Sequence, residues 1–509
     1  MAPNSSIFLS NGTVLLHDRL DNINPVKADV LIIDNKIAKI APSISPPSDA
    51  THLDCTGKLL APGFVDTHHH LWQTQLKGRH ADDIFIDYMV KGPFELSKKT
   101  YQAKFSSGSS VYSFFSPEDM FWGQMGGCLE AVDSGTTTVV DHAHMNYSAE
   151  HSSSALSATV ASGIRSYFCY VPVPHAPATS LAPFEYGTNK AEWAASQLED
   201  LAARQPFGDG RVRLGVAFDA FYLPKEFVVS LYERARGMGI KLFTTHYVQH
   251  ALFGPRSFVK ILHSCGLLKD DILLSHANNA LPEDAELIVA NGAHISSTPG
   301  TELQVGLGYP VSFRPDLHDV ASLGIDCHSS SSGDMLAQMR IAVQNARGLF
   351  NQPFVEAGKA PRSLDITALQ AFNLATIKGA RAIGMGDEIG SIAEGKLADI
   401  VIYDAESPSM ICGAEHDPVA AIVMHASVRD VDTVIVDGKI RKQGGKLVAV
   451  EMESTMAAEG KMEWRQIAAK LSQSRSRLEE TLKTVDMESA RKAAAQVMYV
   501  DEQNIVDHQ

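Results

Sequence analysis

Residues 59–70 read LLAPGFVDTHHH, and everything else in the chain is placed from this stretch. Its apolar run, Leu59–Asp66, has the length and composition of a buried strand, and Asp66-Thr67-His68-His69-His70 closes it. In a strand, residues two apart point to the same side. His68 and His70 therefore face one side together, and His69 faces the other. Two imidazoles on one side of a strand end can grip one ion, with Asp66 placed to orient one of them by a hydrogen bond. An H-x-H pair standing alone is also compatible with a histidine cluster made for packing.

Downstream, short apolar strands alternate with helical patterns, which is the rhythm of a parallel sheet. Eight strands are read: Leu59–Asp66, Thr136–Asp141, Ile164–Tyr170, Val212–Ala220, Lys241–His246, Ile272–Ala277, Ala293–Pro299 and Ala321–His328. Eight strand–helix units predict an α/β fold, a (β/α)8 TIM-type barrel over residues 59–387. Ser116-Pro117-Glu118-Asp119 is a capping box with proline at the first helical position, and Phe121, Met125, Leu129 and Val132 follow at helical spacing. Another helix is predicted from about Gly333 to Phe350. Two connections are long, residues 71–115 after strand one and 171–190 after strand three. They are read as loops on the face where barrels build their active sites, or as tolerated surface insertions.

Residues 1–58 read as short strands, among them Ile7–Leu9, Val14–Leu16 and Ala28–Ile33, with a tight turn at Asp34-Asn35-Lys36. Strand patterns return over 388–450 as strand–turn–strand segments, with turns at Glu394-Gly395 and Asp437-Gly438. The two regions are predicted to pair into one small composite β-sandwich made from both chain ends. Residues 451–509 form a charged helical extension in which Trp464, Ile467, Leu471, Leu478 and Leu482 make an apolar stripe. That stripe is read as packing on its own protein or on a partner.

The net charge of −15 argues against nucleic-acid and anionic-membrane partners, because both need basic patches. The six cysteines lack C-x-x-C spacing, which fits reduced thiols inside a cell. The N-terminal MAPNSSIFLSNGTVLLHDRL has no basic segment leading into a long apolar core, and no run approaches the ~20 apolar residues that span a membrane. A soluble cytoplasmic protein is expected.

The chemistry gathers at the other strand ends. His246 closes strand five, His276 stands near the end of strand six, and Asp326 stands near the end of strand eight. Three histidines and a carboxylate suit one divalent metal such as zinc, with a water in the open position; iron and manganese accept the same donors.

The set PGFVDTHHH (62–70), GTTTVVDH (135–142), His246, SHA (275–277), STPGTELQVGLGYP (297–310), GIDCHSSSSGDML (324–336), GSIAEGKLADIVIYD (390–404) and VDGK (436–439) resembles the amidohydrolase superfamily. It is most similar to the cytosine-deaminase-like and triazine-chlorohydrolase-like branch, over residues 5–450. The resemblance implies a metal held by His68, His70, His246 and Asp326, with His276 touching the water or the substrate. It implies hydrolysis of a C–N bond (amide, lactam or amino-heterocycle) in a small cyclic compound by a metal-activated water. In that reaction Asp326 moves the proton and His276 polarises the electrophile. Dechlorination, or loss of another leaving group from a heteroaromatic ring, is a second reading; a silent metal- or ligand-binding relative is a third. A homodimer is compatible with the resemblance and with the tail stripe.

One departure stands out. The branch usually carries H-x-x-E after strand five, and here the segment is His246-Tyr247-Val248-Gln249. Gln249 takes the catalytic glutamate's place and cannot exchange a proton at neutral pH. Either the substrate needs no ring protonation, or Glu302, His250 or His328 replaces the acid, or the site binds without turnover. Trp72 and Gln73 follow the metal motif and are expected to line the pocket, with plain core as the alternative for Trp72. Glu302 and His328 are expected to face substrate, with a solvated loop carboxylate as the alternative for Glu302. His144 or His142, at the end of strand two, is read as a substrate contact or a packed strand-end histidine. His175 stays unassigned.

Overall fold

The structure is a computed structural model and describes residues 6–85, 87–88, 115–173, 192–250, 256–452, 460–483 and 504. Most of both long connections, with His175, lies outside the described residues, as does the tail from 484 apart from Asn504.

Eight strands pair in parallel in chain order: Phe64–His69, Thr136–Ala143, Arg165–Tyr170, Val212–Ala217, Phe243–Val248, Ile272–Asn278, His294–Ser297 and Ala321–Leu323. Each is followed by a helix, from Pro117–Asp133 after the first to Met335–Glu356 after the eighth, so the fold is a (β/α)8 barrel. The first three strands are buried at every position, as a sheet covered on both faces requires. Helix Pro117–Asp133 starts as its sequence dictates. Ser116 Oγ accepts from Asp119 N, the Asp119 carboxylate accepts from Ser116 N, and Pro117 occupies the first turn. Asp334 caps helix Met335–Glu356 by accepting from Ala337 N at 2.7 Å.

The barrel seam closes at its carboxyl end. His68 O accepts from Asp326 N at 2.7 Å and Ile325 N at 3.0 Å, and His70 N donates to Asp326 O at 3.0 Å. Gly324 permits this approach, because a Cβ there would stand 2.8 Å from both N and O of His68. First and eighth strands thus meet where the histidines are.

The segment read as one strand, Leu59–Asp66, is two. Lys58–Pro62 pairs antiparallel with Ile400–Asp404 and parallel with Ser6–His17, and Phe64 then opens the barrel. Both pieces are apolar because each is buried in its own core, so apolarity alone hides the break. The chain ends build one nine-stranded sheet whose interior holds Leu9, Val14, Val30, Leu60, Ile400 and Ile435. The hairpin turn falls at Asp437-Gly438, between Val431–Val436 and Lys439–Gln443. Around Glu394-Gly395 no strand precedes the turn, and a single bridge, Lys36 to Leu397, pairs there. Arg165, buried at the start of the third strand, ties barrel to sheet. It donates to Asp399 at 2.8 and 3.1 Å and to Asp437 at 2.8 Å, so the buried charges are paired.

The extension continues as helix Trp464–Leu482, and Ile467, Leu471 and Leu478 of its stripe pack on the chain itself, while Trp464 is exposed. Ile467 and Leu471 are buried against Phe121, Trp122, Met125 and Leu129. Ser474 Oγ donates to Asp119 at 2.6 Å and accepts from Gln75 Nε2 at 3.0 Å. Among the described residues no helix is long and apolar enough to cross a membrane.

Candidate metal centre

Four side chains converge at the carboxyl end of the barrel. Asp326 Oδ1 lies 3.3 Å from His68 Nε2 and 3.2 Å from His70 Nε2, and His246 Nε2 lies 3.3 Å from His70 Nε2. The four donor atoms all stand within 4.8 Å of one another. The far nitrogen of each ring is occupied. His68 Nδ1 lies 2.8 Å from Ser275 Oγ, His70 Nδ1 3.0 Å from His142 O, and His246 Nδ1 2.8 Å from Asp219 Oδ2. A carbonyl and a carboxylate only accept, so His70 and His246 donate from Nδ1 and turn the Nε2 lone pair inward.

These residues fit a divalent ion. His68 Nε2 is fully buried without a hydrogen-bond partner, a condition proteins rarely tolerate, and an ion at this point would satisfy it. Three imidazole nitrogens and one carboxylate oxygen are the donors of a borderline metal. Burial drives His68 well below the usual histidine range and lowers His70, so both rings are neutral, as ligands must be. Burial alone would raise Asp326. The adjoining His68 and His70 rings more than offset this and hold its carboxyl well below the usual carboxylate range.

His276 Nε2 stands 4.0 Å from Asp326 Oδ2, and its Nδ1 lies 2.9 Å from Thr298 Oγ1. Both His276 (φ 75°) and Asp326 (φ 65°) have left-handed backbone. Non-glycine residues held there cost about 1–3 kcal/mol each, and such strain gathers at functional sites.

Other residues singled out in the sequence are placed differently. Gln249 Nε2 donates to Asp284 at 2.9 Å and to Tyr247 Oη at 3.3 Å, so its amide serves the barrel wall. Glu302 is not solvated, and its Oε1 lies 3.6 Å from His276 Nδ1. It is fully buried behind His276, accepting from Thr298 N at 2.7 Å and Ser297 Oγ at 3.0 Å. His328 also turns away from the centre: its Nδ1 lies 2.7 Å from His69 Nε2 and its Nε2 3.2 Å from Thr74 Oγ1. His69 Nδ1 in turn meets Asp66 Oδ2 at 2.7 Å, so the ring that Asp66 orients is that of His69, while its Oδ1 accepts from the His68 main-chain N–H at 3.2 Å. Gln73 is buried, donating to Tyr88 Oη at 3.1 Å and accepting from Ser329 Oγ at 2.6 Å. His250 Nε2 lies 3.1 Å from Gly306 O. His144 does stand at the centre, its ring 4.5 Å from that of His70, and the buried Trp72 packs edge-on behind it at 5.7 Å.

Asp219 is the functional neighbour the sequence reading missed. It sits two residues past the fourth strand, Val212–Ala217, and its signal was a carboxylate at a strand's carboxyl end, the test applied to strands one, five, six and eight. Ser275 and Thr298 were missed too, since small hydroxyl residues at strand ends carry no distinguishing pattern.

A parallel eight-stranded barrel whose strand ends join three histidines and an aspartate defines a metal-dependent hydrolase. The chain belongs to the amidohydrolase family, whose profile matches residues 59–441, and members of this class cleave C–N bonds. It is 27% identical to the 5-methylthioadenosine/S-adenosylhomocysteine deaminase of Moorella thermoacetica over 447 residues, covering 85% of this chain and 93% of that protein. It is also 27% identical to the 5'-deoxyadenosine deaminase of Methanobrevibacter smithii over 470 residues, covering 87% and 96%. Among solved structures, an adenosine deaminase from Xanthomonas campestris with bound zinc superposes with a TM-score of 0.74 at 18% identity, covering 94% of this chain and 99% of that one. The atrazine chlorohydrolase of Arthrobacter aurescens complexed with zinc gives 0.73 at 18% identity, covering 92% and 100%.

Proposed function

We propose that this chain is a mononuclear zinc hydrolase that opens a C–N bond in a small cyclic compound whose reacting ring nitrogen already carries a hydrogen. Cyclic amides, lactams and amino-lactams meet that description. The observation that carries the reading is the convergence of His68, His70, His246 and Asp326, with His276 Nε2 4.0 Å from Asp326. The three-nitrogen, one-oxygen donor set supports zinc, and the solved neighbours described above hold zinc. The relatives named as deaminases support attack on a ring carbon bearing nitrogen.

When bound, a divalent ion supplies Lewis acidity and lowers the pKa of water toward ~7. Asp326, held ionised, takes the proton of the attacking water and passes it to the departing nitrogen. His276 is held through Nδ1 by the Thr298 hydroxyl at 2.9 Å, and in the tautomer in which that hydroxyl donates, the ring proton sits on Nε2. That Nε2–H then donates to the heteroatom on which negative charge develops. His144 lines the approach beside His70. Gln249 has its amide committed to Asp284 and supplies no proton to a ring nitrogen, which favours a substrate that needs none.

Metal content comes first, by elemental analysis of the purified chain. The zinc-loaded protein is then assayed on lactams, amino-lactam bases, 6-aminopurine nucleosides and halotriazines, following ring opening, ammonia and chloride. Turnover of the first two groups is expected. Turnover confined to 6-aminopurine nucleosides refutes the ring N–H clause. Chloride release alone refutes C–N cleavage, and full zinc with no turnover in any group refutes catalysis.

A further inference from the structure

We propose that Asp219 is a positioning residue for the metal centre, a single carboxylate that orients His246 directly and His70 through His142. The inference rests on the metal-centre reading above and extends it to a residue outside the four donors.

Asp219 holds His246 at two points. Its Oδ1 accepts from the His246 main-chain N–H at 2.8 Å, and its Oδ2 from the His246 Nδ1–H at 2.8 Å. Gripping backbone and ring of one residue together fixes both the rotamer and the ring plane. The Thr245 hydroxyl donates to the same Oδ1 at 2.8 Å, which fixes the carboxylate in turn. The Oδ2 also lies 3.3 Å from Nε2 of the buried His142, whose ring sits 4.3 Å from that of His246. The His142 main chain completes the bracket, because its carbonyl accepts from His70 Nδ1 at 3.0 Å. Two ligands, one just past the first strand and one on the fifth, are thereby tied to one group just past the fourth.

The three ring anchors are not equal. His68 has a serine hydroxyl and His70 a neutral carbonyl, whereas His246 has a charge. A carboxylate behind an imidazole fixes its tautomer and raises its basicity toward a metal, and loss of such a partner costs about 10–100-fold in metal affinity. The Asp219 side chain is 42% exposed at the barrel mouth, so replacing it leaves no buried hole.

Zinc affinity is measured by competition with a chromogenic chelator on metal-free wild type, D219A and D219N, alongside the melting point of each metal-free protein. One ion per chain is expected in wild type. Binding should weaken about 10–100-fold in D219A and less in D219N, whose amide oxygen still accepts from Nδ1, with unchanged metal-free melting points. If D219A does not fold, D219N decides, with a loss of about fivefold or more expected. Affinity within about threefold of wild type in the variants overturns the proposal. So does a second zinc per wild-type chain lost in D219A, since that makes Asp219 a ligand. A wild type that binds no divalent ion fails the metal-centre reading itself, a separate result.

Discussion

Gly127 lies in helix Pro117–Asp133 where the helix crosses the turn that follows His70. A Cβ on Gly127 would stand 2.1 Å from Leu71 O, 2.9 Å from Leu71 C and 3.1 Å from His328 Cε1, against 3.4–4 Å for ordinary contact. In Gly127→Ala the helix and the turn must therefore separate by about 1 Å, and overpacking of this kind costs about 1–3 kcal/mol. Replacing a helical glycine returns about 1 kcal/mol, which leaves a net loss of about 0–2 kcal/mol. The metal centre feels the change far more. Leu71 is bonded to His70, whose nitrogen and ring are pinned to Asp326 O and His142 O, so the shift passes into a ligand. Metal sites hold their distances to about 0.2 Å, and a ligand moved by several times that is lost. Expected, then, is a small fall in the urea midpoint of the metal-free protein with a tenfold or greater loss of zinc affinity, on the order of losing a ligand's support. Gly348→Ala is the control. It lies in helix Met335–Glu356 with nothing within 4 Å of its Cβ, and it should gain about 0.5–1 kcal/mol without touching zinc binding. A Gly127→Ala protein that is stabilised like the control and binds zinc like wild type would refute the coupling of helix to ligand.

Three further outcomes are expected. Asp326→Asn should keep the circular dichroism of wild type yet abolish turnover of any substrate found; residual turnover near wild type would remove Asp326 from proton transfer. Burial lifts Asp141 from 3.8 to about 6, against the opposing pull of Gln124. The folded state therefore keeps a proton that the unfolded state releases between about pH 4 and 6, and wild type loses roughly 3 kcal/mol over that window. Asp141→Asn should gain that amount relative to wild type as pH rises, read from urea unfolding, and parallel pH profiles would contradict it. Gln249→Glu sets a second carboxylate against buried Asp284, where Gln249 Nε2 now donates at 2.9 Å. It should cost about 1.5–3 kcal/mol at neutral pH, recover in acid where the pair shares a proton, and gain no deaminase activity. A stable, deaminating variant would show the side chain swinging into the site.

The barrel was legible because its strands are short, apolar-rich runs spaced by helical patterns, and its helices carry local start signals, as Ser116 to Asp119 do. Donor candidates were legible for a related reason: a side chain at a strand's carboxyl end must open toward the barrel mouth. Legibility stops one or two residues later. His276 and Ala277, inside strand Ile272–Asn278, and Asp326, past Ala321–Leu323, have positive φ, and where the backbone leaves extended geometry the two-residue alternation no longer says where a side chain points. Glu302 and His328 each lie five residues past a strand end, where alternation no longer applies, and both are hydrogen-bonded within the wall. The misplacement of Asp66 has a similar cause, because the register of the first strand shifts between Asp66 and His69, which lets Asp66 reach a ring that simple alternation puts on the other face.

The nine-stranded sheet also imposes an order of events on the ribosome. Lys58–Pro62 is made before the barrel, and its antiparallel neighbour Ile400–Asp404 only after it. At ~5–20 residues per second the wait lasts tens of seconds. For that interval Lys58–Pro62 is an open edge carrying apolar Leu59, Leu60 and Ala61, a template for another nascent chain. Synthesis of one short late strand ends that exposure, so a chain stalled or cut before Ile400 would carry a complete set of barrel strands and still present a sticky edge.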